Sequence, residues 1–185
     1  MHETISEIEN LIVQKKKSYI VAVNVDVIIK IENDSNLKEI VDAANMVLVD
    51  GKPLIWISRL QKKPIKEKVS GSDLVPALCE VSARKGYSIF ILGGAQGIAE
   101  QAKMNLEKKF QNIKIVQTYS PPLGFENNEA ELSKINHMIS DAHPDMLIAC
   151  FGCPKQEKWI YKNYKKYDAT VSICAGATVD FLAGN

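Results

Sequence analysis

The 185-residue sequence is most informative first for what it does not contain. It has no run of about 18 apolar residues, so it encodes no transmembrane helix. The N-terminal Met1-His-Glu-Thr4 lacks the basic and apolar regions of a secretory signal. Only 3 histidines occur, at His2, His137 and His143, and none has metal-ligand spacing. There is no G-x-S-x-G elbow, which leaves a serine hydrolase of that type unsupported. Gly93-Gly-Ala-Gln-Gly97 falls short of G-x-G-x-x-G, and the strand after it ends without an acidic residue for a ribose, which argues against a nicotinamide-dependent enzyme. Charge of one sign is also missing. The 23 basic and 22 acidic residues give a net charge of +1, which calls for no nucleic-acid partner. Lys15-Lys16-Lys17 reads as a solvated helix end. Of the 4 cysteines, Cys79, Cys150, Cys153 and Cys174, three sit in or beside apolar runs. Reduced, buried thiols in a cytoplasmic protein are expected, with Cys150-x-x-Cys153 as core packing rather than a redox or zinc pair.

What is present is a regular alternation of helix and strand signals. Thr4-Ile-Ser-Glu7 reads as a capping box that opens a helix from about residue 5 to Lys16. Apolar runs predict strands at Ser18–Asn24, Met46–Val49, Tyr87–Leu92, Ile113–Thr118, Asp145–Phe151 and Ala169–Cys174. Helical patterns fall near 26–32 and 36–44, from Pro53, over 71–85 with Gly86 as C-cap, over 96–110, near 127–142, over 154–164, and in a final short segment. The strands are nearly continuous apolar runs, as expected when helices cover both faces of a parallel sheet. The reading is α/β, with residues 1–185 as one Rossmann-like, doubly wound domain whose mostly parallel sheet is covered on both sides.

In such sheets ligands bind beyond the carboxyl ends of the strands. The residues there are Asn24, Asp50-Gly51, Gly93-Gly94, Tyr119, Gly152 with Pro154, and Ala175-Gly176. Glycine turns on one rim either let a phosphorylated ligand approach backbone N–H groups or simply end strands. Asp50 is the one carboxylate directly at a strand end in this set. It is a candidate general base, or an N-cap for the helix near Pro53. Asn24 is open between cap and ligand contact, and Lys155 and Gln156 between ligand contact and plain exposure.

Seven segments stand in one order: Asn24-Val-Asp26, Val49-Asp-Gly51, Val69-Ser-Gly-Ser-Asp73, Ile91-Leu-Gly-Gly94, Tyr119-Ser-Pro-Pro122, Phe151-Gly-Cys-Pro-Lys-Gln-Glu-Lys-Trp159 and Gly176-Ala-Thr-Val-Asp180. The series resembles the WecG/TagA/CpsF family of bacterial glycosyltransferases from about residue 5 to 184, most specifically in the Gly-x-Pro-Lys-Gln-Glu-x-Trp block. The resemblance implies inverting transfer of an N-acetylmannosamine-type sugar from a UDP donor to a polyprenyl-diphosphate-linked sugar, in teichoic acid, enterobacterial antigen or capsule synthesis. It implies no metal or other cofactor, in keeping with the lack of an Asp-x-Asp motif. It makes Asp50 the base and places Asn24, Gln156 and, on the nucleotide side, Asp180 in the pocket. Gly51, Lys68, Gly93, Gly94, Gly152, Pro154 and Lys155 complete the expected substrate-binding set, with Lys155 and the N–H groups near Gly93-Gly94 and Gly152 neutralising the leaving diphosphate.

Two positions depart from the family pattern. Ala22 stands where threonine is usual, and Lys68 where arginine is usual; a guanidinium clamps phosphate bidentately and an ammonium does not. The resemblance also implies a basic, amphipathic C-terminal segment that meets the membrane and donates arginines to the site, and the chain is read as lacking it. The surface so exposed is expected to support a homo-oligomer, with the protein acting at the inner face of the plasma membrane. A UDP-sugar-binding module of weak catalytic power, or a partner subunit, is the alternative reading.

Overall fold

The structure is a computed structural model, and it describes residues 1–184. Six parallel strands form one sheet: β1 (Ser18–Val23), β2 (Met46–Val49), β3 (Ser88–Gly93), β4 (Lys114–Tyr119), β5 (Met146–Cys150) and β6 (Val171–Cys174), in the order β2-β1-β6-β5-β3-β4. Register is continuous across the middle of the sheet, where Ile148 of β5 lies beside Ile91 of β3 and Ile173 of β6. The helices are α1 (His2–Val13), α2 (Val25–Asn33), α3 (Ser35–Asp42), α4 (Lys52–Leu60), α5 (Gly71–Lys85), α6 (Ile98–Lys109), α7 (Glu129–Ala142), α8 (Lys155–Asn163) and α9 (Thr178–Ala183).

Alternate side chains of the same strands feed two cores. Ile20, Ile89, Ile91, Ile148 and Ile173 point to one face, where α1, α5, α6 and α9 pack. Tyr19, Val21, Phe90, Leu92 and Leu147 point to the other, under α2, α3, α7 and α8. Each fully buried side chain of this size contributes roughly 1.5–3 kcal/mol. The two-sided burial explains why the strands read as unbroken apolar runs. The tyrosines of the second core are paired: the Tyr19 hydroxyl donates to the Ile40 carbonyl at 2.6 Å, and the Tyr167 and Ser172 hydroxyls meet at 2.8 Å.

The expected α/β architecture, parallel sheet and order of elements are therefore found. Local differences have local causes. The capping box at Thr4 does not form. Helix α1 starts three residues earlier, with the Ile5 N–H donating to the Met1 carbonyl, and this still buries Ile8, Leu11 and Ile12. A 3-10 turn at Phe125–Asn127 precedes α7, whose N-cap Asn128 accepts from the Ala130 and Glu131 N–H groups.

The winding creates the crevices. Along the sheet, the helices that follow β1, β6, β5 and β3 are α2, α9, α8 and α6. They lie alternately on the second and first faces. Wherever neighbouring strands send their chains to opposite faces, a gap opens at their carboxyl ends.

Candidate functional site

The β1/β6 gap holds a cavity of about 290 Å³ lined by Asn24, Asp50, Gln156, Glu157, Thr178 and Phe181, among others. The β5/β3 gap holds a second, of about 460 Å³, lined by Gly94, Ala95, Gln96, Leu123, Phe125 and Lys155. The first turn of α8 separates them, with Gln156 on one side and Lys155 on the other.

Asp50 leaves β2 with its N–H donating to the Val23 carbonyl at 2.8 Å, which fixes it beside the end of β1. Its carboxylate does not cap α4. The N-cap is Gly51, at φ 124°, and no side chain bonds to the helix start there. The glycine's left-handed backbone turns the chain, so the capping alternative for Asp50 fails. Half-burial raises the Asp50 pKa above the ordinary aspartate value. The Lys68 cation counters this and the Asp73 carboxylate adds to it, and no hydrogen bond is among the influences. Asp50 is thus an uncommitted carboxylate held in a polar cavity, with its proton affinity tuned upward.

Asn24 caps a helix and also lines the cavity. Its Oδ1 accepts from the Val27 N–H at 3.0 Å and caps α2, while the residue lines the cavity and its Nδ2 makes no hydrogen bond among the described residues. Gln156 is buried, with both ends of its amide fixed. Its Oε1 accepts from the Gly176 N–H at 3.1 Å, and its Nε2 donates to Glu157 at 2.8 Å. Glu157 is 0% exposed, and its second carboxylate oxygen has no partner. The Cys153 and Cys174 thiols lie against that carboxyl, and burial pushes Cys153 up to about 12. The cysteines are free and unreactive by that measure, as expected. Cys150 is core, but Cys153 is not. It lines the Asp50 cavity, because Gly152, at φ 76°, swings the chain out of β5.

Several expected contacts are placed differently. The Gly94 N–H, read as free for an anion, donates to the Cys150 carbonyl at 3.2 Å. The Ala95 and Gln96 N–H groups beside it, in residues that line the second cavity, have no acceptor among the described residues. Gly93 is spent on packing: at φ 123°, a β-carbon there would sit 2.3 Å from the Cys150 carbonyl oxygen. Lys155 reaches the second cavity but is paired with Glu126 at 2.8 Å. Pro154 lines a separate hollow with Trp159 and Lys162. Gly51, Lys68, Gly152 and Asp180 line neither rim cavity. Lys68 acts on Asp50 by charge while bonded to Asp73 at 2.8 Å. Ser70 supports this arrangement, capping α5 through the Asp73 N–H.

Glu157, Glu126 and Phe181 were missed in the sequence reading. The signal for Glu157 was available. Gln156, Trp159, Ile160 and Asn163 share a helical face, and polar residues on an apolar face mark buried hydrogen bonding. Among the described residues, no three carboxylate, thiol or imidazole groups converge as a metal site.

The rim thus gathers polar side chains, with the half-buried Asp50 carboxylate among them, in crevices at the carboxyl ends of the strands. Residues 1–185 match the glycosyl transferase WecG/TagA/CpsF family throughout. The chain belongs to that family. A relative in Bacillus subtilis (strain 168), N-acetylglucosaminyldiphosphoundecaprenol N-acetyl-beta-D-mannosaminyltransferase, is 27% identical over 172 residues, or 93% of this chain and 65% of the relative. A relative of the same name in Staphylococcus aureus (strain NCTC 8325) is 23% identical over 166 residues, or 90% of this chain and 63% of the relative. The chain thus spans about two thirds of the length of these curated relatives. Within the WecG/TagA/CpsF frame, the segments that carried the resemblance all lie at or next to the carboxyl rim of the sheet. No described helix is long and apolar enough to cross a membrane.

Proposed function

We propose that this chain is an inverting, metal-independent glycosyltransferase that moves an N-acetylmannosamine-type sugar from UDP to a polyprenyl-diphosphate-linked N-acetylglucosamine in cell-surface polymer synthesis. One observation carries the reading: the Asp50 carboxylate is half-buried, free of hydrogen bonds, and in one cavity with Asn24 and Gln156. The relatives are named for transfer of N-acetylmannosamine to N-acetylglucosaminyldiphosphoundecaprenol, which supports the substrate classes.

Inversion is a single displacement. Asp50 takes the proton from the acceptor hydroxyl as its oxygen attacks the anomeric carbon from the face opposite the diphosphate. The C–O bond to the diphosphate breaks, and UDP leaves with that electron pair. The Asn24 Nδ2 and the fixed Gln156 amide orient sugar oxygens. The leaving diphosphate falls to Lys155 and the open Ala95 and Gln96 N–H groups, on the other side of the α8 first turn. Ala22 offers no hydroxyl in the cavity, so these amides bear more of the donor's orientation.

The test is incubation of the chain with UDP-N-acetylmannosamine and a short polyprenyl-diphosphate N-acetylglucosamine, with chelator present. A β-linked disaccharide product seen by NMR is expected. UDP binding by calorimetry without any product would replace the enzyme by a UDP-sugar-binding module. Product that forms only after a divalent cation is added would end the metal-independent mechanism.

A further inference from the structure

Helix α4 begins directly after Asp50-Gly51 and is apolar on both sides. Leu54, Ile55 and Ser58 are buried against the body of the protein. Pro53, Trp56, Ile57 and Leu60, spaced i, i+3, i+4 and i+7, form a second stripe that faces solvent. Trp56 is 62% exposed, Ile57 47% and Leu60 85%. A surface helix normally turns charged residues outward, so an outward apolar stripe marks a contact surface. Within the segment itself the charge has one sign. From Gly51 to Lys66 the chain carries Lys52, Arg59, Lys62, Lys63 and Lys66 and no acidic residue. Lys66 is paired with Glu3, whereas Lys52, Arg59, Lys62 and Lys63 make no ion pair among the described residues. Phe181, also exposed, sits in the Asp50 cavity itself, so apolar surface reaches the mouth of the site.

We infer that α4 is a membrane-docking surface: Trp56, Ile57 and Leu60 enter the interface of an anionic bilayer while Lys52, Arg59, Lys62 and Lys63 meet its headgroups. An apolar stripe edged by cations, with tryptophan among the apolar groups, is the composition of an interfacial helix. A second protein would have to supply both an apolar groove and several carboxylates. A bilayer of anionic lipid offers an apolar interior and a plane of phosphates everywhere. The placement also serves the chemistry. A diphosphate-linked acceptor holds its reacting hydroxyl one sugar and one diphosphate away from the lipid tail, so the base must sit close to the headgroup plane. Asp50 is two residues from the start of the docking helix. This inference rests on the proposed membrane-borne acceptor.

The experiment is flotation of the 185-residue chain with vesicles of phosphatidylcholine alone and of phosphatidylcholine with phosphatidylglycerol, alongside tryptophan emission. Binding to the anionic vesicles is expected, weakening with salt, with a blue shift from Trp56, since Trp159 is already buried. Trp56→Ser/Leu60→Ser and, separately, Arg59→Gln/Lys62→Gln/Lys63→Gln should each weaken binding at least tenfold, given a loss of about fivefold per headgroup-facing cation. Calorimetric UDP binding and transfer to a water-soluble acceptor analogue should stay unchanged in both, because none of these side chains lines the cavities. Vesicle binding that is absent in the parent chain, or unmoved in both variants, overturns the proposal. A dimer in light scattering that Trp56→Ser/Leu60→Ser abolishes, with vesicle binding intact, overturns it in favour of a second copy on this face. Vesicle binding through α4 without any sugar transfer leaves the surface standing and refutes the enzyme reading. Transfer without vesicle binding does the reverse.

Discussion

Replacing Gly93 by alanine separates two uses of a rim glycine, close approach of a ligand and close approach of the protein to itself. At Gly93 the added β-carbon would meet the Cys150 carbonyl oxygen at 2.3 Å and its carbon at 2.7 Å. Both are backbone atoms of the central strand β5, so no side-chain rotation relieves the contact. The φ of 123° adds backbone strain of about 1–3 kcal/mol. Moving β5 away also loses the Gly94 N–H bond to Cys150, worth about 1 kcal/mol. With disrupted packing the total is about 3–5 kcal/mol, a large share of the 5–15 kcal/mol that holds a typical domain together. For a chain of this size that corresponds to a Tm lower by roughly 6–20 °C. Gly97→Ala supplies the control: its φ of 84° is also left-handed, but the new β-carbon meets nothing within 4 Å. Gly97→Ala should therefore lose only about 1 kcal/mol, or a few degrees. Thermal unfolding followed by circular dichroism measures both. A Gly93→Ala protein melting within 2 °C of the parent, or no lower than Gly97→Ala, refutes the close-approach argument and returns Gly93 to the ligand.

The remaining predictions concern the charges around the site. Lys68 holds the Asp50 pKa down, and Asp50 acts only when ionised. Lys68→Met should therefore move the acid limb of the kcat/KM profile to higher pH, while Lys68→Arg leaves it nearly in place; a limb unmoved by Lys68→Met rules out this coupling. Glu126 competes for Lys155, so Glu126→Gln should tighten UDP binding about two- to fivefold by calorimetry, the scale of one partly exposed ion pair; unchanged or weaker binding removes Lys155 from the diphosphate. Glu157→Ala leaves the buried Gln156 Nε2 without its acceptor and should lower urea stability by about 1–3 kcal/mol, with Glu157→Gln restoring most of it. Equal stability of all three proteins would show that the Gln156 bond carries nothing.

Much of this was legible because periodicity reports burial. The central strands are buried on both faces, so their apolar runs, and with them the parallel α/β class, stood out in the sequence. The rim followed from the same logic, and it brought Asp50, Asn24 and Gln156 to one cavity although they lie far apart in the chain. What stayed hidden depended on backbone hydrogen bonds between distant strands. Nothing local in Gly93-Gly94 tells that one glycine yields to β5 and that the other's N–H is taken by it. The one-residue step from Lys155 to Gln156 spans two cavities, since neighbours on a helix point about 100° apart. Thr4 mimicked a cap because its motif is sound, but α1 gained a further turn from Met1. The outward stripe of α4 left no local mark in the sequence, since a helix with two apolar sides gives no sign of which one faces out.

The central claim is that Asp50 is the base, and the direct measurement pairs catalysis with binding in Asp50→Asn. Asparagine keeps the shape and the cavity but cannot accept the acceptor proton. Transfer from UDP-N-acetylmannosamine to the polyprenyl-diphosphate acceptor should fall by about 10²–10⁴-fold, with calorimetric UDP affinity within about twofold of the parent chain's. An Asp50→Asn protein that transfers sugar at the parent rate would contradict the assignment. One that loses UDP binding in step with transfer would make Asp50 a ligand contact instead of the base.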